Sequence, residues 1–380
     1  MRYNFTEMST IQEQIESIQK EIRETPYHKG TEHHIGMLRA RLSRLKDKQF
    51  ESVIKSKGGG GGGYSVKHQG DATVVLVGPP SVGKSTLINQ LTNARSKVAP
   101  YAFTTVTVIP GMMVYKDARI QILDVPGLIE GAEIGKGRGR EVLSVVRGAD
   151  LLIIMTDNEF PNALEKITDS LEKHGIRINK KKPQILIDKK LKGGITIHSN
   201  HHQEIGKETI KEVVSEMGIK NAEITINEKV DLEQLIDATS RNRVYIPAIY
   251  LLNKVDLLDE SRKNNDSIDQ TDTSNESIHL QKIFKVSAQM GIGIEELKDE
   301  VLKTLGLIRI YLIKHDDEPG DDQPMVVKNG YDLGKILEKI GEEFSENIIK
   351  AKIWGTGSKF PGQEVSLKTK VEDGMKIRFI

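Results

Sequence analysis

The sequence predicts a doubly wound α/β domain with a mostly parallel sheet, carrying three additions. These are an N-terminal helical hairpin, a small inserted α+β domain and a short β-rich C-terminal module. Three observations carry this reading. From residue 73, near-continuous apolar runs bounded by turn signals alternate with helical patterns, as strands buried on both faces of a parallel sheet do. Between a helical stretch ending near Gly175 and the run at Tyr245 lie about seventy residues, far more than a connection needs. The last stretch of about 75 residues carries several short strand signals around one helical pattern.

Composition bounds the answer. With 380 residues, 37% hydrophobic and 29% charged, the chain can form several domains, each with its own core. Lys and Arg number 55 against 54 Asp and Glu, so any basic surface must be local. There is no cysteine, which excludes disulfides and thiolate metal sites and fits a reducing compartment. No apolar run reaches the ~18 residues of a membrane span, and "MRYNFTEMST" lacks the apolar centre of a secretion signal. A cytoplasmic protein with no membrane segment is expected, acting as a monomer.

Residues 1–57 form the N-terminal region, and 9–57 read as a helical pair. Ile11, Ile15, Ile18 and Ile22 fall at helical spacing, "ETPYHKG" (24–30) is a turn, and Ile35, Leu38, Leu42 and Leu45 begin a second stripe. Between residues 28 and 57, eight Lys/Arg face three acids, which suits either an RNA-facing surface or a solvated helix face. "KGGGGGG" (57–63) is preceded by no strand and followed by no Lys-Ser, so it reads as part of a linker, 58–70, and not as a phosphate cradle. The α/β domain spans 71–306, with "TVVLVG" (73–78), "RIQILDV" (119–125), "ADLLIIMTD" (149–157), "YIPAIYLLN" (245–253) and "KIFKVSA" (282–288) as strands. "KSTLINQLT" and "PNALEKITDSLEKHG" are helices between them. The insertion, 177–243, contains the strand-like "PQILIDKK", "GGITIHS" and "AEITIN" and the helical "GKETIKEVVSEMG" and "VDLEQLIDAT". "DESRKNNDSIDQTDTSNES" (259–277) is polar and expected to be mobile. From 307 to 380, "IRIYLIK", "PMVVKNG", "IIKAKIWG" and "GMKIRFI" around the helical "LGKILEKIG" suggest a β-grasp-like module.

The chemistry sits in four segments. "GPPSVGKST" (78–86) follows a strand and opens a helix, the context that makes G-x-x-x-x-G-K-[ST] a P-loop. Gly78 and Gly83 let the backbone turn tightly, so that amides of Ser81, Val82 and Gly83 and the helix start at Ser85 and Thr86 face phosphates. Lys84 reaches the β- and γ-phosphates, and the Ser85 hydroxyl is a Mg²⁺ ligand. "DVPG" (124–127) supplies Asp124 to the metal and the Gly127 amide to the γ-phosphate. "YAFTTVTV" (101–108) lies where a switch threonine is needed, and Thr105, with Thr104 second, is the metal-ligand candidate, a β-branched strand start being the alternative. "NKVD" (253–256) closes a strand in the right chain order. Asp256 accepts two hydrogen bonds that guanine offers and adenine does not, which excludes an ATPase, because losing such a pair costs on the order of 10⁴ in selectivity. Asn253 braces the P-loop, the Lys254 stem covers the base, Ser287 of "VSA" supports Asp256, and the Ala288 amide meets guanine O6. The main domain is therefore a P-loop GTPase domain, with GTP or GDP and Mg²⁺ as ligands, and with Lys84, Thr105 and Gly127 as the groups placed nearest the chemistry.

"GDATVVLVGPPSVGKSTLINQLT", "YAFTTVTVIPG" and "DVPGLIEGAEIGKGRGREVLSVVRGAD" closely resemble the DRG branch (developmentally regulated GTP-binding proteins) of the Obg-type GTPases. "TEHHIGMLRARLSRLK" and the glycine run resemble that family's N-terminal region and linker, so the likeness covers nearly the whole chain. The resemblance implies an S5D2-like insertion and a C-terminal TGS domain. It also implies a role in translation or on ribosomes, with rRNA contact, and a dedicated regulatory protein partner.

Leu128 stands where a glutamine orients the attacking water in well-studied GTPases, and the resemblance implies an apolar residue there. Leucine cannot orient water, yet phosphoryl transfer depends mainly on positioning and charge neutralisation. Three sources can fill the gap. Potassium, which some relatives hold through a P-loop asparagine, stays open because Ser81 occupies that position. "GKGRGR" (135–140) offers Lys136, Arg138 and Arg140 on a glycine-rich switch. A partner such as the ribosome ranks first. Slow intrinsic hydrolysis is expected. The competing readings are a GTP-ordered RNA- or protein-binding scaffold in which hydrolysis is incidental, and an RNA-binding protein acting through its helical arm and C-terminal module.

Overall fold

Strand β1 (Ala72–Val77), all six residues buried, founds the main sheet because every side chain in "ATVVLV" but Thr73 is apolar. The computed structural model describes residues 3–55, 70–92, 99–100, 107–125, 138–240, 242–257, 282–313, 324–341 and 348–380. After β1 come α3 (Lys84–Leu91), β2 (Ala99–Pro100), β3 (Thr107–Tyr115), β4 (Ala118–Asp124), α4 (Arg138–Arg147), β5 (Leu151–Thr156) and α5 (Ala163–Lys173). The sheet resumes with β11 (Ala248–Leu252) and β12 (Ile283–Lys285), followed by α8 (Ile294–Leu305). Its order is β12-β11-β5-β1-β4-β3-β2. The strands from β12 to β4 are parallel, and β3 and β2 are antiparallel additions at one edge. P-loop GTPase architecture requires this arrangement, with loops converging at the carboxyl ends of β1, β4, β5, β11 and β12.

Two readings of the sequence change. "YIPAIYLLN" is two strands, β10 (Val244–Ile246) and β11, because Pro247 has no N–H to continue a ladder. Strand β3 was not among the sequence-derived strands, since Pro110 and Gly111 interrupt its pattern. Gly111 is needed there, because a Cβ would lie 2.6 Å from Thr92 Cγ2.

The chain divides into two compact units: Met1–Gly63 with His174–Tyr245, and Tyr64–Lys173 with Ile246–Ile380. In the first, α1 (Tyr3–Glu24) and α2 (Glu32–Lys55) form the hairpin, with Ile15, Ile18, Ile35 and Leu38 buried. Strands β7 (Ile185–Lys189), β9 (Ala222–Ile226) and β8 (Ile195–Ser199) make a three-stranded sheet over α6 (Lys207–Glu216) and α7 (Leu232–Thr239). Ala40 of α2 joins the core of that insertion, beside Val213, Ile224 and Leu235. Arg44 donates to Glu216 O (2.9 Å) and Arg39 lies 3.6 Å from Glu233, so two of the eight basic residues counted in the hairpin hold the insertion. A short pair of strands, β6 (Ile176–Ile178) with β10, closes the segment.

In the second unit the C-terminal module has five strands: β13 (Leu307–Leu312), β14 (Met325–Lys328), β15 (Lys350–Trp354), β16 (Gln363–Ser366) and β17 (Lys376–Phe379), ordered β14-β13-β17-β15-β16. Helix α9 (Leu333–Ile340), capped by Asp332 accepting from Lys335 N at 2.9 Å, covers one face with Leu333 and Ile336 in the core. One helix among the described residues, on a mixed sheet of this order, fits the β-grasp expectation. Val326 packs with the main sheet's core, and Lys328 Nζ pairs with Asp150 at 2.5 Å. The segments 57–63 and 259–277 lie outside the described residues.

Candidate nucleotide-binding site

The end of β1 turns sharply because its glycines leave no room for anything else. A Cβ on Gly78 would sit 2.8 Å from Met155 O, and one on Gly83 would sit 2.4 Å from Asn253 Nδ2. Gly83 has φ 94 and Ser81 φ 63, both left-handed. The loop closes around its own ammonium: Lys84, 9% exposed, donates to Gly78 O (3.1 Å) and Pro79 O (2.8 Å). Helix α3 starts there, with Ser85 and Thr86 in its first turn.

Ser85 Oγ donates to Asp124 Oδ2 at 2.9 Å, which joins the P-loop to the end of β4. Asp124 is buried, and its Oδ1 meets no hydrogen-bond donor among the described residues. Burial pushes the Asp124 carboxyl above its ordinary range, opposed by the Lys84 charge and the Ser85 hydrogen bond. A hydroxyl beside a buried carboxylate with an unpartnered oxygen is the hard-oxygen donor set that Mg²⁺ takes.

Asn253 is the hub. Its Nδ2 donates to Val82 O (2.8 Å), its Oδ1 accepts from Ala288 N (2.9 Å), and its own N–H donates to Thr156 O (2.9 Å). One buried asparagine, through its side chain and its backbone N–H, thus ties the P-loop, the end of β5 and the turn after β12. A cavity of 210 Å³ opens beside it, lined by Thr86, Lys254, Asp256, Ser287 and Ala288 among others. Asp256 stands half-buried in the short helical turn Val255–Leu257. Two of these groups have local partners that the sequence did not indicate. The Ala288 amide, expected at guanine O6, donates to Asn253. The Ser287 hydroxyl, expected to support Asp256, accepts instead from Met290 N (3.1 Å), because Ser287 closes a tight turn back to Ile292.

The structure therefore brings together Gly78, Ser81, Val82, Gly83, Lys84, Ser85, Thr86, Asp124, Asn253, Lys254, Asp256, Ser287 and Ala288. Thr104, Thr105, Gly127, Leu128 and Lys136 lie outside the described residues. Arg138 and Arg140 stand in the first turn of α4, not in a loop. Sequence reasoning missed Asp157, Leu257 and Gln289. Leu257 and Gln289 line the cavity. Asp157, 1% exposed, pairs with Lys254 Nζ at 2.6 Å, and the carboxylate raises the Lys254 ammonium above its ordinary value. The only signal was an aspartate closing an apolar strand.

Comparison with known proteins agrees with this geometry. A family model described as "50S ribosome-binding GTPase" matches residues 73–190, and one described as the C-terminal region of that domain matches 192–307. A GTP-binding protein of Methanocaldococcus jannaschii is 42% identical over 365 residues, covering 96% of this chain and 91% of its own. The developmentally-regulated GTP-binding protein 1 of Xenopus laevis is 38% identical over 380 residues, covering 98% and 100%. The developmentally-regulated G-protein 3 of Arabidopsis thaliana is 36% identical over 372 residues, covering 96% and 97%. Matches that run through the hairpin, the insertion and the C-terminal module as well as the sheet show that the chain belongs to the developmentally regulated (DRG) branch of the Obg-type GTP-binding proteins.

Proposed function

We propose that this protein is a guanine-nucleotide switch with slow intrinsic GTP hydrolysis, acting in translation or another ribosome-linked process. The observation that carries the switch reading is the Asn253 hub, which couples the phosphate loop to the base cavity through three hydrogen bonds, to Val82 O, from Ala288 N and to Thr156 O. The ribosome link rests on the description of the matched family model.

In this reading Asp256 selects guanine and Asn253 keeps the base cavity in register with the P-loop. Lys84 leaves Gly78 O and Pro79 O for the β- and γ-phosphate oxygens. Ser85, Asp124 and Thr105 hold Mg²⁺, which neutralises phosphate charge when bound. Gly127 reports the γ-phosphate. Leu128 leaves the water unoriented, so the chain alone turns over at about 10⁻⁴ to 10⁻² s⁻¹, and a partner, either the ribosome or a regulatory protein, supplies the remaining 10³- to 10⁵-fold, on the order of what such completion gives. Potassium is the other candidate for that role. The domains are assigned as 1–57, linker 58–70, GTPase 71–306 with an S5D2-like insertion at 177–243, and TGS at 307–380, in a cytoplasmic monomer. Among the described residues no helix is long and apolar enough to cross a membrane.

Single-turnover hydrolysis with and without purified ribosomes, each in potassium and in sodium, tests the proposal. Acceleration by ribosomes is expected; a rate above about 1 s⁻¹ for the chain alone would sink it. Leu128 favours a second reading, a GTP-ordered scaffold. Identical cellular phenotypes for Lys84→Ala and for a variant that binds but cannot hydrolyse GTP support the switch; a silent hydrolysis defect supports the scaffold.

A further inference from the structure

We propose that Asp157 is a positioning residue for nucleotide retention: it holds Lys254, and through it a wall of the base cavity, so that a carboxylate outside the cavity lining sets how fast guanine nucleotides leave. This rests on the guanine-nucleotide reading of the cavity. Lys254 lines the cavity and Asp157 does not.

The geometry makes Asp157 a two-armed clamp. It follows β5 directly, and Asn253, one residue before Lys254, is hydrogen-bonded to Thr156 O at 2.9 Å. One arm, Oδ1, accepts from Glu159 N at 3.1 Å. The turn it caps is closed by Phe160 N donating to Asp157 O (3.2 Å) and by Thr156 Oγ1 donating to Phe160 O (2.5 Å). The other arm, Oδ2, forms an ion pair with Lys254 Nζ at 2.6 Å, a contact of charge and not of hydrogen-bond alignment. The carboxylate is therefore fixed from below by its own turn before it meets the lysine.

Lys254 needs such an anchor. Its backbone is left-handed at φ 62, a conformation that a residue with a Cβ keeps only where its surroundings hold it. Its side chain is 29% exposed, and a lysine left to itself would extend its ammonium into water. Tied at both ends, by the backbone beside Asn253 and by Asp157 at the tip, the four-carbon stem is ordered before a base arrives. Ordering that precedes binding is not lost again from the affinity. In the other direction, a carboxylate 1% exposed must keep a partner, so Lys254 is not free to swing away.

Asp157→Asn separates the two arms. The asparagine Oδ1 still accepts from Glu159 N, preserving the turn and the volume, while its Nδ2 cannot accept from an ammonium. The full-length chain is loaded with fluorescent GDP and, separately, with a fluorescent non-hydrolysable GTP analogue, then chased with excess unlabelled GDP. D157N is expected to speed dissociation of both about tenfold, the size of one lost charge-assisted contact, with the preference for guanine over xanthine unchanged, since that belongs to Asp256. Lys254→Met should speed dissociation similarly, and the double variant should be no faster than either single one. Asp157→Glu, which keeps the charge, should recover part of the slow rate and serves where D157N folds poorly. Dissociation from D157N within twofold of wild type, or effects of D157N and K254M that multiply, overturns the role of Asp157. A wild-type chain that fails to retain GDP at all overturns the nucleotide reading itself.

Discussion

A methyl group is enough to separate the two halves of the candidate site. Alanine at Gly83 would put its Cβ 2.4 Å from Asn253 Nδ2 while holding a φ of 94 that L-residues rarely adopt. Gly83→Ala should therefore push Asn253 off Val82 O, weaken GDP and GTP binding by about 100-fold and cost roughly 1–3 kcal/mol of stability; nucleotide titration beside a melting curve checks both. Asp256→Asn should move preference from guanine to xanthine nucleotides by on the order of 10⁴ in ratio, and competition binding that finds full GTP selectivity would contradict the assignment. These residues were legible because phosphate and base chemistry fix residue type, spacing and chain order together. Asp157 was not, since its meaning comes from Lys254, 97 positions later in the sequence. The local partners of Ser287 and Ala288 were not legible for a related reason: small polar groups take whichever local partner the turn presents.

Apolar runs made the elements legible, and their limits follow from what such runs do not encode. They located β1, β4, β5 and β11, buried on both faces, and the half-buried edge strand β12, but missed β2, β3, β6 and β16. Strand β16, "QEVS", has one apolar residue in four, and one of its faces is exposed. Beside the insertion's apolar core lies an ionic cluster that no apolar run encodes. Asp237 accepts from Arg177 (2.5 and 2.7 Å) and from Arg243 (2.7 Å), and Arg243 reaches Asp47 of α2 at 3.3 Å. Asp237→Ala removes one carboxylate from each of two largely buried guanidinium groups, Arg243 keeping Asp47 and Ser43, and should cost about 2–3 kcal/mol in a denaturant titration. Beside this cluster Tyr245 keeps a buried hydroxyl with no partner among the described residues. Burial first, and the Asp237 charge second, push its phenol from 10.0 up to about 12. The unfolded chain loses that proton near 10.0 and the folded chain near 12, so stability falls as pH rises between these values and is unaffected below them. Tyr245→Phe should abolish that alkaline slope and, by removing an unsatisfied hydroxyl, raise stability at neutral pH by up to ~1 kcal/mol; melting curves across the pH range would show both.

For the whole molecule, each unit has its own core, and every described residue of the candidate site lies in the unit of Tyr64–Lys173 and Ile246–Ile380. GDP at a hundred times its dissociation constant should therefore stabilise that unit by about 2.7 kcal/mol. Hydrogen exchange should show added protection in β1, β5 and β11 and none in β7, β8 and β9. Protection rising equally in both units would mean that they unfold as one. The division itself could not be read from the sequence, which showed an insertion but not that α2 completes the insertion's core. Ala40 and Arg44 look like ordinary positions on a helix until α6 and α7 lie against them.

That shared core has a consequence for how the chain is made. The ribosome delivers α1 and α2 first, but Val213, Leu235 and Glu216, against which α2 packs, emerge only after more than 150 further residues, about 10 to 30 seconds of synthesis. Through that interval β1 to β5 are produced while the hairpin waits with Ala40 uncovered, and loop closure over so long a separation is slow. Until then α2 has α1 to pack against but not the core it shares with α6 and α7.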